Sequence, residues 1–112
     1  MKLIQAIIRP DKFADVKAEL DKIQINGITI SEVKGHGVQG GYKQQWRGVE
    51  YTVDLLPKVK LELVVPDDKA KKVMETIGKA AKTGAIGDGK VFVLEVVDAM
   101  RVRTGETGED AL

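Results

Sequence analysis

The chain has 112 residues, of which 43% are hydrophobic and 31% are charged, and its 18 Lys and Arg nearly balance 17 Asp and Glu. This length suits one domain with a single hydrophobic core, so we expect one domain over residues 1–112. The near-neutral net charge argues against a general nucleic-acid binder, which usually carries a strong basic excess. The absence of cysteine excludes disulfides, thiolate metal sites and a cysteine nucleophile, and a single histidine argues against an imidazole zinc site.

The sequence contains no apolar run that approaches the roughly 20 residues needed to cross a bilayer. Its first residues, Met1 to Gln5, have the pattern of a strand and lack the long apolar segment of a signal peptide. We therefore expect a cytoplasmic protein.

The first part of the chain predicts a strand, a helix and a second strand. Residues 2–9 are rich in β-forming residues and end before a proline, which cannot donate to a strand ladder. Asp11 is expected to cap the following helix through its carboxylate. The apolar stripe of that helix consists of Phe13, Val16, Leu20 and Ile23. Asn26-Gly27 predicts a turn, and the alternation over residues 28–34 predicts the second strand.

The next stretch, residues 35–55, contains five glycines and no sustained apolar period. It therefore predicts a long loop. Loops longer than about 12–15 residues in a compact domain are usually functional or disordered, so this stretch is the first indication of a functional segment.

The last part of the chain predicts a strand, a helix and a fourth strand. Residues 58–65 alternate between apolar and polar positions, and Asp67 is expected to cap the helix that follows. The predicted buried stripe of this helix consists of Ala70, Val73, Met74, Ile77 and Ala81. Residues 83–90 form a glycine-rich loop, residues 91–97 form the fourth strand, and the tail from Arg101 is polar.

The element order β-α-β-β-α-β predicts an α+β fold of ferredoxin-like topology, in which two helices cover one face of an antiparallel sheet. A long loop would join its second and third strands. The other face of the sheet has no helices, yet it carries apolar positions such as Ile7 and Val64. A homo-oligomer is the simplest cover for that face.

The residues from Gly84 to Lys90 fit the spacing G-x-x-x-x-G-K of a phosphate-binding loop. Glycines let backbone N–H groups converge on an anion, and the lysine adds a positive charge. Val91 stands where a P-loop NTPase has Ser or Thr, and the loop leads from a helix into a strand, which is the reverse of the usual order. A glycine turn without a ligand is the alternative interpretation.

Arg101 and Arg103 are two positions apart, so both guanidinium groups would project from one face of an extended chain. Two such groups suit a di- or triphosphate, because each can bind oxygens in a bidentate manner. The alternative is a solvated surface pair beside Glu106 and Glu109. Lys90, predicted just before the fourth strand of the same sheet, favours the phosphate interpretation.

The predicted long loop contains two further candidates. Gln39 offers an amide oxygen to a hard cation such as Mg²⁺, although a glycine-rich hinge is the commoner explanation for its surroundings. Exposed aromatic residues around an arginine are typical of a protein interaction site. The residues concerned are Tyr42, Trp46, Arg47 and Tyr51. The alternatives are packing of Trp46 on the body of the domain and nucleic-acid stacking, which the balanced charge disfavours.

The carboxylates form no pair that suits general acid and base catalysis. Glu62 is predicted on the sheet face without helices, Asp67 and Asp68 begin a helix, and the other candidates lie in the tail. Since a convincing nucleophile and a metal cluster are also lacking, we expect a protein that is not an enzyme.

The chain resembles the PII nitrogen-regulatory signal-transduction family over essentially its whole length. The segments that carry the resemblance are RGVEYTVDLLPKVKLELVV at 47–65, TGAIGDGK at 83–90 and RVRTGETGEDAL at 101–112. The run GVQGG, followed by RG-x-EY, is most similar to the branch of the family that controls ammonium transporters.

This resemblance implies a homotrimer that binds ATP or ADP in three clefts between neighbouring subunits and, with MgATP, also binds 2-oxoglutarate. It implies a long mobile loop over about residues 37–55, a phosphate loop over about 82–90 and a C-terminal arginine loop over about 101–108. The protein would regulate partners rather than catalyse a reaction. Those partners would be an ammonium transporter, which recruits the protein reversibly to the membrane, and enzymes of nitrogen metabolism, with no nucleic acid among them.

The resemblance also assigns roles to individual residues. Gln39 would ligate Mg²⁺, and Lys58 would pair with the distal carboxylate of 2-oxoglutarate. Arg47 corresponds to the loop-tip arginine that enters the exit pore of the transporter, and Tyr51 corresponds to the tyrosine that some relatives nucleotidylate. The 2-oxoglutarate site would consist of Gln39, Gly40, Gly41 and Lys58. The nucleotide site would consist of Ile7, Thr29, Gly37, Val38, Gln39, Glu62, Val64, Gly87, Asp88, Gly89, Lys90, Arg101 and Arg103.

The nucleotide site divides by role. Gly87 to Lys90 correspond to the phosphate loop, and Arg101 and Arg103 would reach the phosphates from the other side of the cleft. The residues that would surround adenine are Ile7, Thr29, Glu62 and Val64.

Three features depart from the family pattern. Val38 replaces a common arginine, which leaves the phosphate contact at this position to the backbone. Val49 replaces the serine that a photosynthetic branch phosphorylates, and the segment 42–46 differs from that of the commonest relatives.

Four other functions compete with this nitrogen sensor. They are a sensor of the ATP-to-ADP ratio without a 2-oxoglutarate response, a small ferredoxin-like phosphate-ester hydrolase, an RNA-binding module and an amino-acid-binding regulatory domain. The hydrolase lacks a general base, and the RNA-binding module would need aromatic residues that the first and third predicted strands do not have. The amino-acid-binding domain leaves the phosphate loop and the arginine pair unexplained.

Overall fold

The computed structural model describes residues 1–37, 42–53 and 55–112, with the backbone alone described for 42–46 and 50–53. The elements, in chain order, are β1 (Lys2–Ile8), a 3-10 helix (Pro10–Lys12), α1 (Phe13–Lys22), β2 (Thr29–Gly35), β3 (Tyr42–Trp46), β4 (Val49–Val53), β5 (Leu56–Val65), α2 (Asp67–Ala81), β6 (Gly89–Glu95) and a second 3-10 helix (Gly108–Ala111). Within the described residues, no helix has the length and the apolar character needed to span a membrane.

The larger sheet has four antiparallel strands in the order β2-β5-β1-β6. The central strand β1 pairs along its whole length, so that Ile4 lies opposite Leu63 of β5 and Val93 of β6. Both helices contribute buried side chains to the core on one face of this sheet. The prediction of a ferredoxin-like α+β fold is therefore confirmed.

The hydrophobic core lies between the sheet and the helices, and the period-2 alternation of β1 and β5 determines which side chains enter it. The largest fully buried side chains are Ile4, Ile8, Val16, Leu20, Leu61, Val73 and Ile77. On the opposite face, Ile7 and Val64 are half-buried, and Phe92 and Leu94 are each 44% exposed. This face of the sheet, which carries apolar side chains among polar ones, is thus open in the single chain.

Both predicted helix caps are wrong. Asp11 lies inside the first 3-10 helix, and α1 begins two residues later with Lys12 at its N-cap. Asp67 is the first helical residue of α2, after Pro66 at the N-cap, and its carboxylate accepts a hydrogen bond from the N-terminal ammonium group at 2.8 Å. An aspartate in the first turn stabilises a helix through the helix dipole rather than as a cap.

Three details of the helices and strands also differ from prediction. Met74 is 36% exposed rather than buried. The chain reverses after α1 at Gln24, whose φ is 63°, ahead of the predicted Asn26-Gly27 turn. The last strand begins at Gly89, so Lys90 lies within β6 rather than before it.

The predicted long loop contains a second, two-stranded sheet. The strands β3 and β4 pair as an antiparallel hairpin, with Tyr42 opposite Val53 and Trp46 opposite Val49. The connecting residues Arg47 and Gly48 have φ values of 52° and 79°. Positive φ values at both residues are typical of the two-residue turn whose twist agrees with that of the flanking strands. The two strands are therefore joined by a tight turn at Arg47-Gly48.

Candidate functional site

A cleft of about 510 Å³ opens where one end of the four-stranded sheet meets the loop between α2 and β6. It brings together seven residues that were predicted to bind ligands: Ile7, Gly37, Lys58, Gly87, Asp88, Gly89 and Lys90. The other lining residues are Gly35, His36, Leu56, Ala85 and Phe92. The sheet ends bring these residues together, because β1, β2, β5 and β6 are antiparallel and in register at this edge.

The loop that borders the cleft, residues 83–88, is closed by the carboxylate of Asp88. One carboxylate oxygen accepts hydrogen bonds from the backbone N–H groups of Thr83 at 2.8 Å and Gly84 at 2.9 Å. The other oxygen bonds the Thr83 hydroxyl and the guanidinium of Arg9. These hydrogen bonds, the Thr83 hydroxyl first among them, hold the pKa of Asp88 well below its usual range. Asp88 is therefore ionised at neutral pH.

Two cations from neighbouring strands hold the carbonyl groups of the same loop. Arg9, just after β1, donates from its Nε to Asp88 at 3.1 Å and from a terminal nitrogen to the carbonyl of Ile86 at 2.7 Å. Lys58, in β5, donates from Nζ to the carbonyl of Gly87 at 2.8 Å. Burial, and next the charge of Arg9, lowers the pKa of Lys58, whereas Asp88 acts in the opposite direction.

The first residue of β6 must be glycine for a steric reason. Gly89 has a φ of 99°, a conformation that side-chain-bearing residues rarely adopt. A Cβ atom at this position would lie 1.7 Å from the carbonyl oxygen of Ile7. The glycine thus lets the loop enter the strand directly against β1, and this places Lys90 opposite Ile7.

Three residues predicted to surround adenine lie outside the lining of this cleft. Thr29 pairs with Glu62, and Val64 follows two residues later in β5. Along β5, Glu62 is four residues from Lys58, a separation of about 13 Å. A single chain therefore carries the predicted nucleotide site as two separate groups of residues.

The C-terminal arginines do not have the extended geometry that was predicted. The N–H of Gly105 donates to the carbonyl of Arg101 at 2.7 Å, which closes a turn that contains Arg103. The guanidinium of Arg101 pairs with Glu106 at 3.0 Å and donates to the carbonyl oxygen of Leu112 at 3.1 Å. The positive φ of Gly105, 76°, explains why the extended prediction is wrong.

The remaining predicted residues belong to the segment between β2 and β5. Val38, Gln39, Gly40 and Gly41 lie outside the described residues. Arg47 is exposed in the hairpin turn. The backbone of Tyr51 lies in β4, opposite Gln44 of β3.

The predicted site residues do not include Arg9, Thr83 or Phe92, although Thr83 lies within the predicted phosphate loop. Arg9 and Thr83 hold the Asp88 carboxylate, and Phe92 lines the cleft. Phe92 could have been found, because it lies two positions after Lys90 in the last strand and therefore on the same face of the sheet. Arg9 could not, since only the three-dimensional fold brings it beside a loop 79 positions later in the chain.

The fold and the cleft together define a small α+β domain with a glycine loop beside a cleft at the edge of a ferredoxin-like sheet. Residues 1–106 match the family described as Nitrogen regulatory protein P-II. The chain is 53% identical to the Nitrogen regulatory protein P-II of Rhizobium meliloti over all 112 residues of both chains. It is 54% identical to the Nitrogen regulatory protein GlnK2 of Haloferax mediterranei, with 100% of this chain and 91% of that protein covered.

A solved structure shows the same similarity. The crystal structure of Arabidopsis thaliana PII bound to citrate superposes with a TM-score of 0.82 at 42% identity, covering 99% of this chain and 91% of that one. The chain belongs to the PII nitrogen regulatory family, as its sequence motifs predicted. Members of this family are regulatory proteins and not enzymes, so this is a regulatory protein.

Proposed function

We propose that the protein is a sensor of nitrogen, carbon and energy status that binds ATP or ADP and, with MgATP, 2-oxoglutarate. The observation that carries this proposal is the 510 Å³ cleft, where the glycine loop and Lys90 meet Ile7, Gly37 and Lys58. Backbone N–H groups and a lysine suit a polyphosphate, and a second cation beside them suits a carboxylate. The Arabidopsis relative, whose structure contains citrate, supports the binding of a small carboxylate ligand.

The nucleotide is proposed to bind between neighbouring subunits of a homotrimer. Gly87 to Lys90 would hold the phosphates from one subunit, and Thr29, Glu62 and Val64 would surround adenine from the next. The open face of the sheet, on which Phe92 and Leu94 are exposed, supports an arrangement of several subunits. Arg101 and Arg103 are proposed to reach the phosphates from the C-terminal turn.

The proposed Mg²⁺ requirement fits the donors that the chain and the nucleotide offer. Among the described residues, no three His, Cys, Asp or Glu side chains are grouped to hold a metal ion. Mg²⁺ commonly relies on phosphate oxygens and water and takes few protein ligands. Gln39 is the protein ligand we propose, and Lys58 would select the distal carboxylate of 2-oxoglutarate beside Gly40 and Gly41. The metal would supply the charge that holds the oxo-acid end.

The proposed partner is an ammonium transporter, contacted through the hairpin β3–β4. The similarity of GVQGG and RG-x-EY to the transporter-regulating branch supports this partner, and so does the similarity to the GlnK2 protein. Arg47 would be the contact residue at the hairpin tip, and Tyr51 would be the site of any nucleotidylation. The protein would work in the cytoplasm as one domain, recruited reversibly to the membrane by the transporter, with enzymes of nitrogen metabolism as further partners.

Calorimetric titration tests the ligand proposal. We expect 2-oxoglutarate to release or absorb heat with MgATP present, and not with MgADP or with neither nucleotide. Lys90→Ala should weaken ATP binding about tenfold or more, because it removes a charge-assisted phosphate contact. Lys79→Ala, on α2 and outside the cleft, is the matched control and should leave ATP affinity within about twofold.

Other outcomes point to the competing functions. ATP binding without any 2-oxoglutarate response would instead support a sensor of the ATP-to-ADP ratio. Sustained ATP turnover would favour the phosphate-ester hydrolase. A chain that binds neither nucleotide would contradict the proposed function.

A further inference from the structure

The phosphate loop contains an acidic residue at a place where an anion is proposed to bind. Asp88 lies between Gly87 and Gly89 and lines the same cleft as Lys90. A carboxylate there repels a polyphosphate, so electrostatics alone would disfavour aspartate at this position. Its contacts indicate what compensates for that repulsion.

The Asp88 side chain joins the two ends of the loop. It receives the backbone N–H groups of Thr83 and Gly84 on one oxygen, at 2.8 and 2.9 Å, and the Thr83 hydroxyl on the other. The same hydroxyl accepts the N–H of Ala85 at 3.1 Å. Both ends of the turn are therefore held by one carboxylate.

Arg9 ties this closed loop to the sheet. Its Nε donates to Asp88 at 3.1 Å, and a terminal nitrogen donates to the carbonyl of Ile86 at 2.7 Å. The ion pair is mostly protected from solvent, since the two side chains are 21% and 23% exposed. The positive charge of Arg9 also offsets the negative charge of Asp88. We call the set Arg9, Thr83, Gly84 and Asp88 the Asp88 clamp.

The clamp and Lys58 together fix the peptide planes that would meet the ligand. Arg9 holds the Ile86 carbonyl, and Lys58 holds the Gly87 carbonyl at 2.8 Å. In a planar trans peptide the following N–H points opposite to the carbonyl, so the N–H groups of Gly87 and Asp88 are fixed in one orientation. A loop held in this way loses less conformational freedom when an anion binds.

We propose that Asp88 is a positioning residue of the phosphate loop, acting with Arg9 and Thr83 to preorganise it for the phosphates of the nucleotide. This inference rests on the proposed function and deepens it. The carboxylate does not contact the phosphates; it holds the backbone that does.

The substitution Asp88→Asn distinguishes this positioning role from a purely electrostatic effect, because the two predict opposite changes in ATP affinity. Removal of a negative charge beside a polyphosphate site strengthens binding if charge alone matters. If the clamp matters, the asparagine cannot replace both carboxylate oxygens, because its NH2 group must face either the N–H donors of Thr83 and Gly84 or the guanidinium of Arg9. One set of contacts is then lost, the loop opens, and ATP binding weakens. We expect ATP affinity, measured by calorimetry, to fall about tenfold or more.

A second pair of variants tests the clamp without changing any charge. Thr83→Val removes the hydroxyl at nearly constant volume and should weaken ATP binding about fivefold or more. Thr83→Ser restores the hydroxyl and should recover most of that loss. A residue that only supported the fold would change the melting temperature and ATP affinity together, so thermal unfolding is measured on every variant.

The outcomes distinguish this inference from the function on which it rests. ATP binding by wild type, weakened by Asp88→Asn and Thr83→Val at unchanged melting temperature, supports the clamp. Equal or tighter ATP binding by Asp88→Asn overturns the clamp and leaves the proposed function intact. If Asp88→Asn does not fold, equal affinities of Thr83→Val and Thr83→Ser overturn it. A wild-type protein that does not bind ATP overturns the proposed function itself.

Discussion

At the scale of single residues, Gly89 is the position where the structure leaves least freedom. Its φ of 99° and the 1.7 Å approach of a Cβ to the Ile7 carbonyl both exclude a side chain. We expect Gly89→Ala to lower the free energy of unfolding by about 2 kcal/mol or more, since the positive φ and the displaced β1–β6 pairing both cost energy. Urea unfolding at one fixed protein concentration measures this loss.

Gly27→Ala is the matched control for that experiment. A Cβ at Gly27 would have no neighbour within 4 Å, and its φ is not in the left-handed region. This substitution should change the unfolding free energy by no more than about 0.5 kcal/mol. A Gly89→Ala protein as stable as wild type would show that the loop does not enter β6 in the conformation described.

At the scale of elements, the sequence predicts what depends on apolar periodicity and misses what depends on turn geometry. The strands β1 and β5 and both helices follow from their apolar patterns, because one face of each enters the core. The hairpin β3–β4 was missed because its turn is Arg47-Gly48, whereas the usual signals are Asn-Gly and Asp-Gly. The spacing of Arg101 and Arg103 alone does not predict the C-terminal turn, which closes at Gly105.

The hairpin leads to a prediction about the proposed partner. Arg47→Asn keeps a residue type that tolerates a positive φ, so the turn should persist while the guanidinium is lost. We expect binding to membrane vesicles that contain the ammonium transporter to weaken about 30-fold or more. ATP affinity should stay within about twofold, because Arg47 in the hairpin turn does not line the cleft.

Lys79→Ala again serves as the charge control and should bind the vesicles like wild type. Wild-type binding by Arg47→Asn would remove Arg47 from the transporter contact. Joint loss of vesicle and ATP binding would show that the substitution disturbs more than the hairpin tip.

At the scale of the whole molecule, the site could be predicted only in part, because a sequence does not state which chain supplies each residue. The glycine loop, Lys58 and Lys90 meet in one cleft. Glu62, paired with Thr29, lies about 13 Å along β5 from Lys58. The proposed intersubunit site assigns these two sets of residues to neighbouring chains.

Mixed trimers test this directly. Lys90→Ala damages the residues proposed to hold the phosphates, and Glu62→Ala damages those proposed to surround adenine. Each homotrimer should therefore bind ATP weakly. In a trimer assembled from both chains, one of the three subunit interfaces joins the intact phosphate loop of one chain to the intact adenine-binding residues of the other. We therefore expect calorimetry on doubly tagged mixed trimers to recover wild-type affinity at about one site in three. A site contained in one chain could not be restored in this way, because every chain would still carry one of the two substitutions. The mixed trimers would then bind ATP as weakly as the two homotrimers.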